Sequence, residues 1–197
     1  MIITVASFKG GVGKTTTAVH LAAYFQLKSP SLLIDGDPNR SATGWTKRGE
    51  LPFKVADERQ AARYAREFEH IVIDTEARPE ESDLKELADG CDLLIIPTTP
   101  DALALDALIQ TVAALEKIGT DRFRILLTIV PPKPSHDGED ARELMTDRGL
   151  PLFKTDVPRL VAFQKAALQG IPVNKVTDAR SESAWNAYAQ VGKEIAP

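Results

Sequence analysis

Lys9-Gly10-Gly11-Val12-Gly13-Lys14-Thr15-Thr16 is the stretch of this chain with the most chemistry in it. Three glycines in four positions let the main chain turn its N–H groups inward and approach an anion closely. Lys14 brings a mobile ammonium, and the Thr15 hydroxyl is a hard oxygen ligand of the kind Mg²⁺ accepts. Gly10, Gly11, Val12, Gly13, Lys14, Thr15 and Thr16 therefore read as a cradle for the polyphosphate of a nucleotide. A helix starting near Lys14 adds about half a positive charge at its N-terminus, again suited to phosphate.

Three carboxylates accompany the cradle. Asp35 and Asp37 stand in Asp35-Gly36-Asp37-Pro38, and Asp74 closes His70-Ile71-Val72-Ile73-Asp74. Asp35 and Asp74 each end an apolar run, and Asp37 lies just beyond one. This places all three at the carboxyl ends of strands, where open α/β sheets bind ligands. Asp74 is expected to hold Mg²⁺ through its water shell, because this ion keeps several waters and takes few carboxylates directly. Other chemistries are not written here. His20, His70 and His136 have no metal-binding spacing with one another or with Cys91, and there is no Gly-x-Ser-x-Gly elbow.

The elements that must position these groups alternate along the chain. Apolar, β-branched runs at residues 1–6, 31–35, 70–75, 92–97 and 123–130 predict strands, with a short edge strand at 53–55. Helical spacing predicts helices at 16–25, 40–48, 57–69, 80–90, 101–118, 138–148, 159–169 and 178–195. Asp57 and Asp101 are expected caps, and Leu84, Leu87, Leu105, Leu108, Ile109, Val112 and Leu115 are expected to face inward. Pro131-Pro132-Lys133-Pro134 bars a helix or central strand there. The expectation is an α/β fold, a mainly parallel twisted sheet with helices on both faces, in one domain over residues 1–197.

Composition narrows the class. At 43% hydrophobic and 26% charged the chain is ordinary for a globular domain, and its apolar runs are too short to span a bilayer. The N-terminus enters a strand without a leader, and the one cysteine, Cys91, permits no internal disulfide, so a cytoplasmic location is expected. The net charge of −4 is unlike that of a dedicated nucleic-acid binder, but residues 151–197 carry +2 and the first 150 carry −6.

The loop is not the common one. The pattern G-x-x-x-x-G-K-[ST] puts a glycine at position 8, where Phe8 stands, and a second lysine, Lys9, precedes the glycines. In this it resembles the deviant Walker A loop of the ParA/MinD family of partitioning ATPases, nearest to the short ParA type without an N-terminal DNA-reading domain. The resemblance runs from the loop through Pro172-Val173 and implies a P-loop NTPase fold with ATP and Mg²⁺ as cofactors. It implies a homodimer that forms on ATP binding, in which Lys9 reaches the ATP of the second copy. Lys9, Lys14 and Asp37 are then the catalytic residues, Asp37 positioning the attacking water. Thr15, Asp35 and Asp74 serve the metal, Asp35 from outside its ligand sphere.

The stretch Asp156-Val157-Pro158-Arg159-Leu160 is similar to the family's adenine-side loop, which assigns Pro158 to the base. A GTPase-type Asn-Lys-x-Asp is not completed, since Thr177 follows Asn174-Lys175-Val176. After Asp74, Glu76 and Arg78 depart from the family pattern and read as a surface ion pair or a partner contact. The ParA branch implies nonspecific DNA binding at the nucleoid, with Lys154, Lys165, Lys175, Arg180 and Lys193 as candidates. It also implies a ParB-like or other adaptor protein on a cargo: a plasmid, a chromosome region or a protein body such as a carboxysome. A MinD-like membrane binder is the alternative, as is a metabolic ATP-dependent enzyme on the same fold. The membrane reading wants a basic amphipathic terminal helix. Residues 181–197 instead offer Trp185, Tyr188 and Val191 for packing and Lys193 as the one base, so no membrane partner is expected.

Overall fold

The computed structural model describes residues 1–64, 66–77 and 81–196. Strands β1 (Ile2–Ser7), β2 (Ser31–Gly36), β3 (Lys54–Asp57), β4 (His70–Ala77), β5 (Leu93–Thr98) and β6 (Phe123–Leu127) form one sheet in the order β3-β2-β4-β1-β5-β6, and every pairing is parallel. Between and after them run α1 (Lys14–Gln26), α2 (Ser41–Thr46), α3 (Glu58–Tyr64), α4 (Glu81–Asp89), α5 (Ala102–Ile118), α6 (Asp137–Asp147), α7 (Val161–Gln169) and α8 (Ser181–Ile195).

Two-residue periodicity sorts the strand side chains onto the two faces of the sheet, where they form three clusters. Ile3, Val5, Leu33, Val72, Ile95 and Leu126 meet Leu21, Ala22 and Phe25 of α1 and Tyr188 and Val191 of α8. On the opposite face Leu94, Ile96, Ile125 and Leu127 meet Leu84 of α4, Leu108, Val112 and Leu115 of α5, and Met145 of α6. Leu32, Ile34 and Ile71 are covered by Ala61 and Tyr64 of α3. Central parallel strands are buried on both sides, so their sequences read as continuous apolar runs. α8 lies close on α1: a Cβ on Gly192 would fall 2.2 Å from the Tyr24 ring.

This topology makes the crevice. α1 leads from β1 towards β2, while α4 leads from β4 across to β5 on the other side of β1. The connections part at the carboxyl end of β1, where the glycine loop sits. Register then pairs Asp35 of β2 with Asp74 of β4, and Val5 of β1 with the same Asp74. Asp35 and Asp74 share strand parity with Leu33 and Val72, on the α1 face.

Three local expectations are corrected. The helix expected over 57–69 ends at Tyr64, and none of its residues is fully buried, so packing does little to extend it. Asp57 ends β3, yet its carboxylate still accepts the Gln60 N–H at 3.0 Å. The strand expected to reach residue 130 stops at Leu127, because the Thr128 hydroxyl turns in to the Val12 and Thr98 carbonyls and Ile129 takes a positive φ of 53°. Ile109 is 41% exposed. It lies about 100° around α5 from Leu108, off the buried stripe of Ala104, Leu108, Thr111, Val112 and Leu115.

A candidate nucleotide site at the carboxyl end of the sheet

The glycine loop is built by backbone conformation. Gly11 (φ 81°) and Gly13 (φ 85°) are left-handed, which a side chain would strain, and a Cβ at Gly10, Gly11 or Gly13 would meet nothing within 4 Å. The loop is therefore free of protein on its outer side. It borders a cavity of about 420 Å³ whose walls include Lys14, Thr15, Thr16, Asp37 and Asn39.

The charges around this cavity are unbalanced. Lys14 is buried, and desolvation lowers its pKa, opposed by the carboxylates of Asp74 and then Asp37. Asp74 is fully buried and neither of its carboxylate oxygens has a hydrogen-bond partner. Burial pushes its pKa up to about 7; the nearby Thr15 hydroxyl tempers the rise, Asp35 adds to it and Lys14 reduces it. A buried, unpartnered carboxylate is costly unless a cation satisfies it. With an open anion cradle, a desolvated ammonium and the Thr15 hydroxyl beside it, these residues fit a Mg²⁺–nucleotide.

The other two acids differ. Asp37 lines the cavity, and its Oδ1 accepts from the Asn39 N–H at 2.8 Å and side-chain amide at 2.9 Å. Asp35 does not line it. Its Oδ2 accepts from the N–H and hydroxyl of Thr43 at 2.7 and 2.6 Å, tying β2 to α2, while its Oδ1 is buried and unpartnered.

Lys9 is held differently. Its ammonium lies 2.6 Å from Asp101 in a second cavity of about 380 Å³ that also includes Pro100 and Arg159. This cavity adjoins the phosphate cavity through Gly10, Gly11 and Ile129, but Lys9 does not line the latter.

A third cavity, of about 240 Å³, runs from Gly13 and Thr16 to Val157, Pro158, Phe163 and Tyr188. Pro158 is brought to the loop end by two backbone bonds, from the Val130 N–H to the Val157 carbonyl (3.1 Å) and from the Arg159 N–H to the Val130 carbonyl (2.8 Å). Beneath this cavity the Tyr188 phenol shares a 3.0 Å hydrogen bond with Thr17, and its ring stacks on His20 with centroids 5.0 Å apart. His20 Nε2 accepts the Val173 N–H at 3.1 Å, so its Nδ1 carries the hydrogen donated to the Thr16 carbonyl at 2.7 Å. Complete burial lowers the imidazole pKa to about 4, and the histidine is neutral.

Sequence reasoning missed Thr43, Asp101, Thr128, Phe163 and Tyr188 as neighbours of the site. The spacing of α8 marks Tyr188 as inward-facing, but nothing local tells that it lines the same cavity as Gly13. Glu76 is exposed, and beside it lie Glu58 and Glu86; Arg78 lies outside the described residues. Of the basic candidates, Lys165 is held 2.6 Å from Asp178, while Lys154, Lys175, Arg180 and Lys193 are exposed. Among the described residues no helix is long and apolar enough to cross a membrane, and Tyr188 and Val191 of α8 are buried as expected.

Residues 3–173 match the family described as the CobQ/CobB/MinD/ParA nucleotide binding domain. The chain is 34% identical over 202 residues to the maintenance of carboxysome distribution protein A of Gloeobacter kilaueensis, covering 98% of this chain and 93% of that one. Among solved structures it resembles Cyanothece McdA, captured as an aspartate-to-alanine variant with ATP, with a TM-score of 0.75 at 17% identity and coverage of 98% and 95%. It also resembles the septum site-determining protein MinD of Pyrococcus horikoshii complexed with Mg-ADP, with a TM-score of 0.73 at 19% identity and coverage of 99% and 95%.

Proposed function

The chain belongs to the CobQ/CobB/MinD/ParA family of nucleotide-binding domains, and from that premise we propose that it is a partitioning ATPase of the ParA kind. Residues 1–197 act as one ATPase domain. Two copies clasp a pair of ATP molecules and bind DNA nonspecifically, and an adaptor on the cargo stimulates hydrolysis. The carboxysome-distribution relative favours a protein body as that cargo.

The observation that carries this reading is the division of labour between the two lysines. Lys14 is buried with the acids that would face a metal–triphosphate, whereas Lys9 is held by Asp101 in the adjoining cavity and does not line that of the phosphates. A lysine so placed cannot serve its own nucleotide without moving, but it suits one presented by a second copy. Bound Mg²⁺ would offset charge on the phosphates and on Asp74. The backbone N–H groups of residues 10–16 and Lys14 would bind the phosphates, Thr15 and Asp74 would hold the ion, and Asp35 ties α2 to β2 from outside the ion's ligands. Asp37, fixed by Asn39, orients the attacking water. Lys9 of the opposite copy places positive charge where the transition state becomes negative, a contribution of about 10³–10⁵ in rate for fingers of this type. Loss of the terminal phosphate removes those contacts and the copies part.

The test is Asp37→Ala with ATP and Mg²⁺ on size exclusion, with and without duplex DNA. A stable dimer that retains DNA is expected. A chain that stays monomeric when saturated with a non-hydrolysable ATP analogue and Mg²⁺ would sink the proposal.

A further inference from the structure

Ile129 is a β-branched residue held at φ 53°, in a region that glycine and asparagine enter readily and isoleucine does not. The turn has a clear cause. Thr128 is pinned by its hydroxyl to the Val12 and Thr98 carbonyls at 2.8 and 2.9 Å, and Val130 is pinned to Val157 and Arg159. The chain must change direction between them. The turn does not explain the side chain, however, because glycine or asparagine would make it with less strain.

The comparison with Arg40 sharpens the point. Arg40 is the other non-glycine residue with positive φ among the described residues, at 54°, and its guanidinium donates to the Asp35 carbonyl at 2.7 Å. Ile129 has no such internal role: it packs in none of the three core clusters and is 37% exposed. Instead it borders all three cavities around the glycine loop, those of the phosphates, of Pro158 and of Lys9. Gly13 and Thr16 also border both the phosphate and the Pro158 cavities. A nucleotide that spans the two must lay its sugar over that junction. The Thr128 hydroxyl is already committed inward, so apolar cover there falls to Ile129.

We infer that Ile129 is a nucleotide-contacting residue, held in a strained conformation so that its aliphatic side chain covers the sugar of the bound nucleotide. This rests on the nucleotide-binding reading of the site. Strain that persists in a fixed backbone is the usual mark of a residue retained for a ligand.

The experiment is calorimetric titration of Mg-ATP and Mg-ADP into wild type, Ile129→Val, Ile129→Asn and Ile129→Gly, with melting temperatures of the nucleotide-free proteins. Ile129→Val is expected to keep both affinities within about twofold. Ile129→Asn and Ile129→Gly are expected to weaken both nucleotides about tenfold, the scale of losing one partly buried apolar side chain. Their nucleotide-free melting temperatures should hold or rise by about 2–4 °C as strain is released. Unchanged affinity in these two variants overturns the inference. So does a joint fall of melting temperature and affinity, which would make Ile129 a residue of the fold. A wild-type chain that binds neither nucleotide sinks the nucleotide reading and this inference together, whereas binding by wild type and unaffected variants sinks the inference alone.

Discussion

The Lys9 ammonium lies 2.6 Å from the carboxylate of Asp101, the same residue whose side chain caps α5 by accepting the Ala104 N–H. The lysine assigned to a second copy's nucleotide is thus held by its own chain in the free state. Lys9 is 28% exposed and Asp101 48%, and a pair so open to water contributes at most about 1 kcal/mol. A triphosphate arriving from the opposite copy can displace it.

Asp101→Asn keeps a capping side chain and removes the charge. The ATP-dependent dimer is expected to tighten by up to about thirtyfold, because two such pairs of about 1 kcal/mol each are released per dimer, with no change in nucleotide affinity of the monomer. Sedimentation velocity across a concentration series checks it, and a weaker dimer would show that Asp101 assists assembly. Lys9→Ala is expected to keep nucleotide binding and lose stimulated turnover; full turnover in that variant removes Lys9 from catalysis.

Asp74 has both carboxylate oxygens buried without partners. Asp74→Asn removes a desolvated charge, so the nucleotide-free protein is expected to gain about 1–3 kcal/mol in denaturant unfolding. The extra stabilisation by Mg²⁺ over nucleotide alone should vanish in the same variant. A destabilised Asp74→Asn protein that still responds to Mg²⁺ would place the metal elsewhere.

His20 supplies a pH signature. Its folded pKa of about 4 lies below the unfolded value of 6.5, so the unfolded chain binds the proton first. Its contribution is complete above pH 6.5 and declines as pH falls towards 4, by about 1.4 kcal/mol per unit and about 3 kcal/mol in all. Its ring neighbours are Trp45, Phe163 and Tyr188, and burial pushes the Tyr188 phenol further up, away from this range. Urea unfolding at pH 7.5, 6 and 5 should show this decline in wild type and a shallower one in His20→Asn. Parallel profiles would mean that the imidazole does not report burial.

Glu194, near the end of α8, accepts the N–H groups of Lys154 and Thr155 at 2.8 and 3.0 Å and the Arg124 guanidinium at 3.0 Å. Burial raises its pKa, but these donors more than offset it and leave it below the ordinary value. Glu194→Ala removes the acceptor of the Lys154 and Thr155 N–H groups, while Arg124 keeps the Leu152 and residue-194 carbonyls, and is expected to cost about 2 kcal/mol. Because residues 154 and 155 lead into Pro158, ATP affinity should fall as well. A stability loss with affinity intact would confine Glu194 to the fold.

Much of this was legible in the chain. Period and punctuation locate the sheet, and the glycine spacing locates the left-handed loop at the end of β1, because both are local properties. Asp35 and Asp74 were seen at strand ends, yet their different fates depend on Thr43 of α2, which no spacing reveals. Thr128-Ile129-Val130 is β-branched and apolar and so reads as strand; the bonds of Thr128 to Val12 and Thr98 and of Val130 to Val157 and Arg159, all distant in sequence, turn it. Lys9 stands out in the sequence by its place before the glycines, but its hold on Asp101 joins two loops 92 residues apart.

The two tryptophans of the chain are Trp45 and Trp185. Trp45 meets His20 edge-on with centroids 5.9 Å apart, and Trp185, on α8 near Tyr188, packs against the same cluster. Trp45 thus touches the aromatic group that underlies the Pro158 cavity, through His20 and its stacked partner Tyr188. Its native emission is therefore a dye-free signal to follow while nucleotide is titrated in.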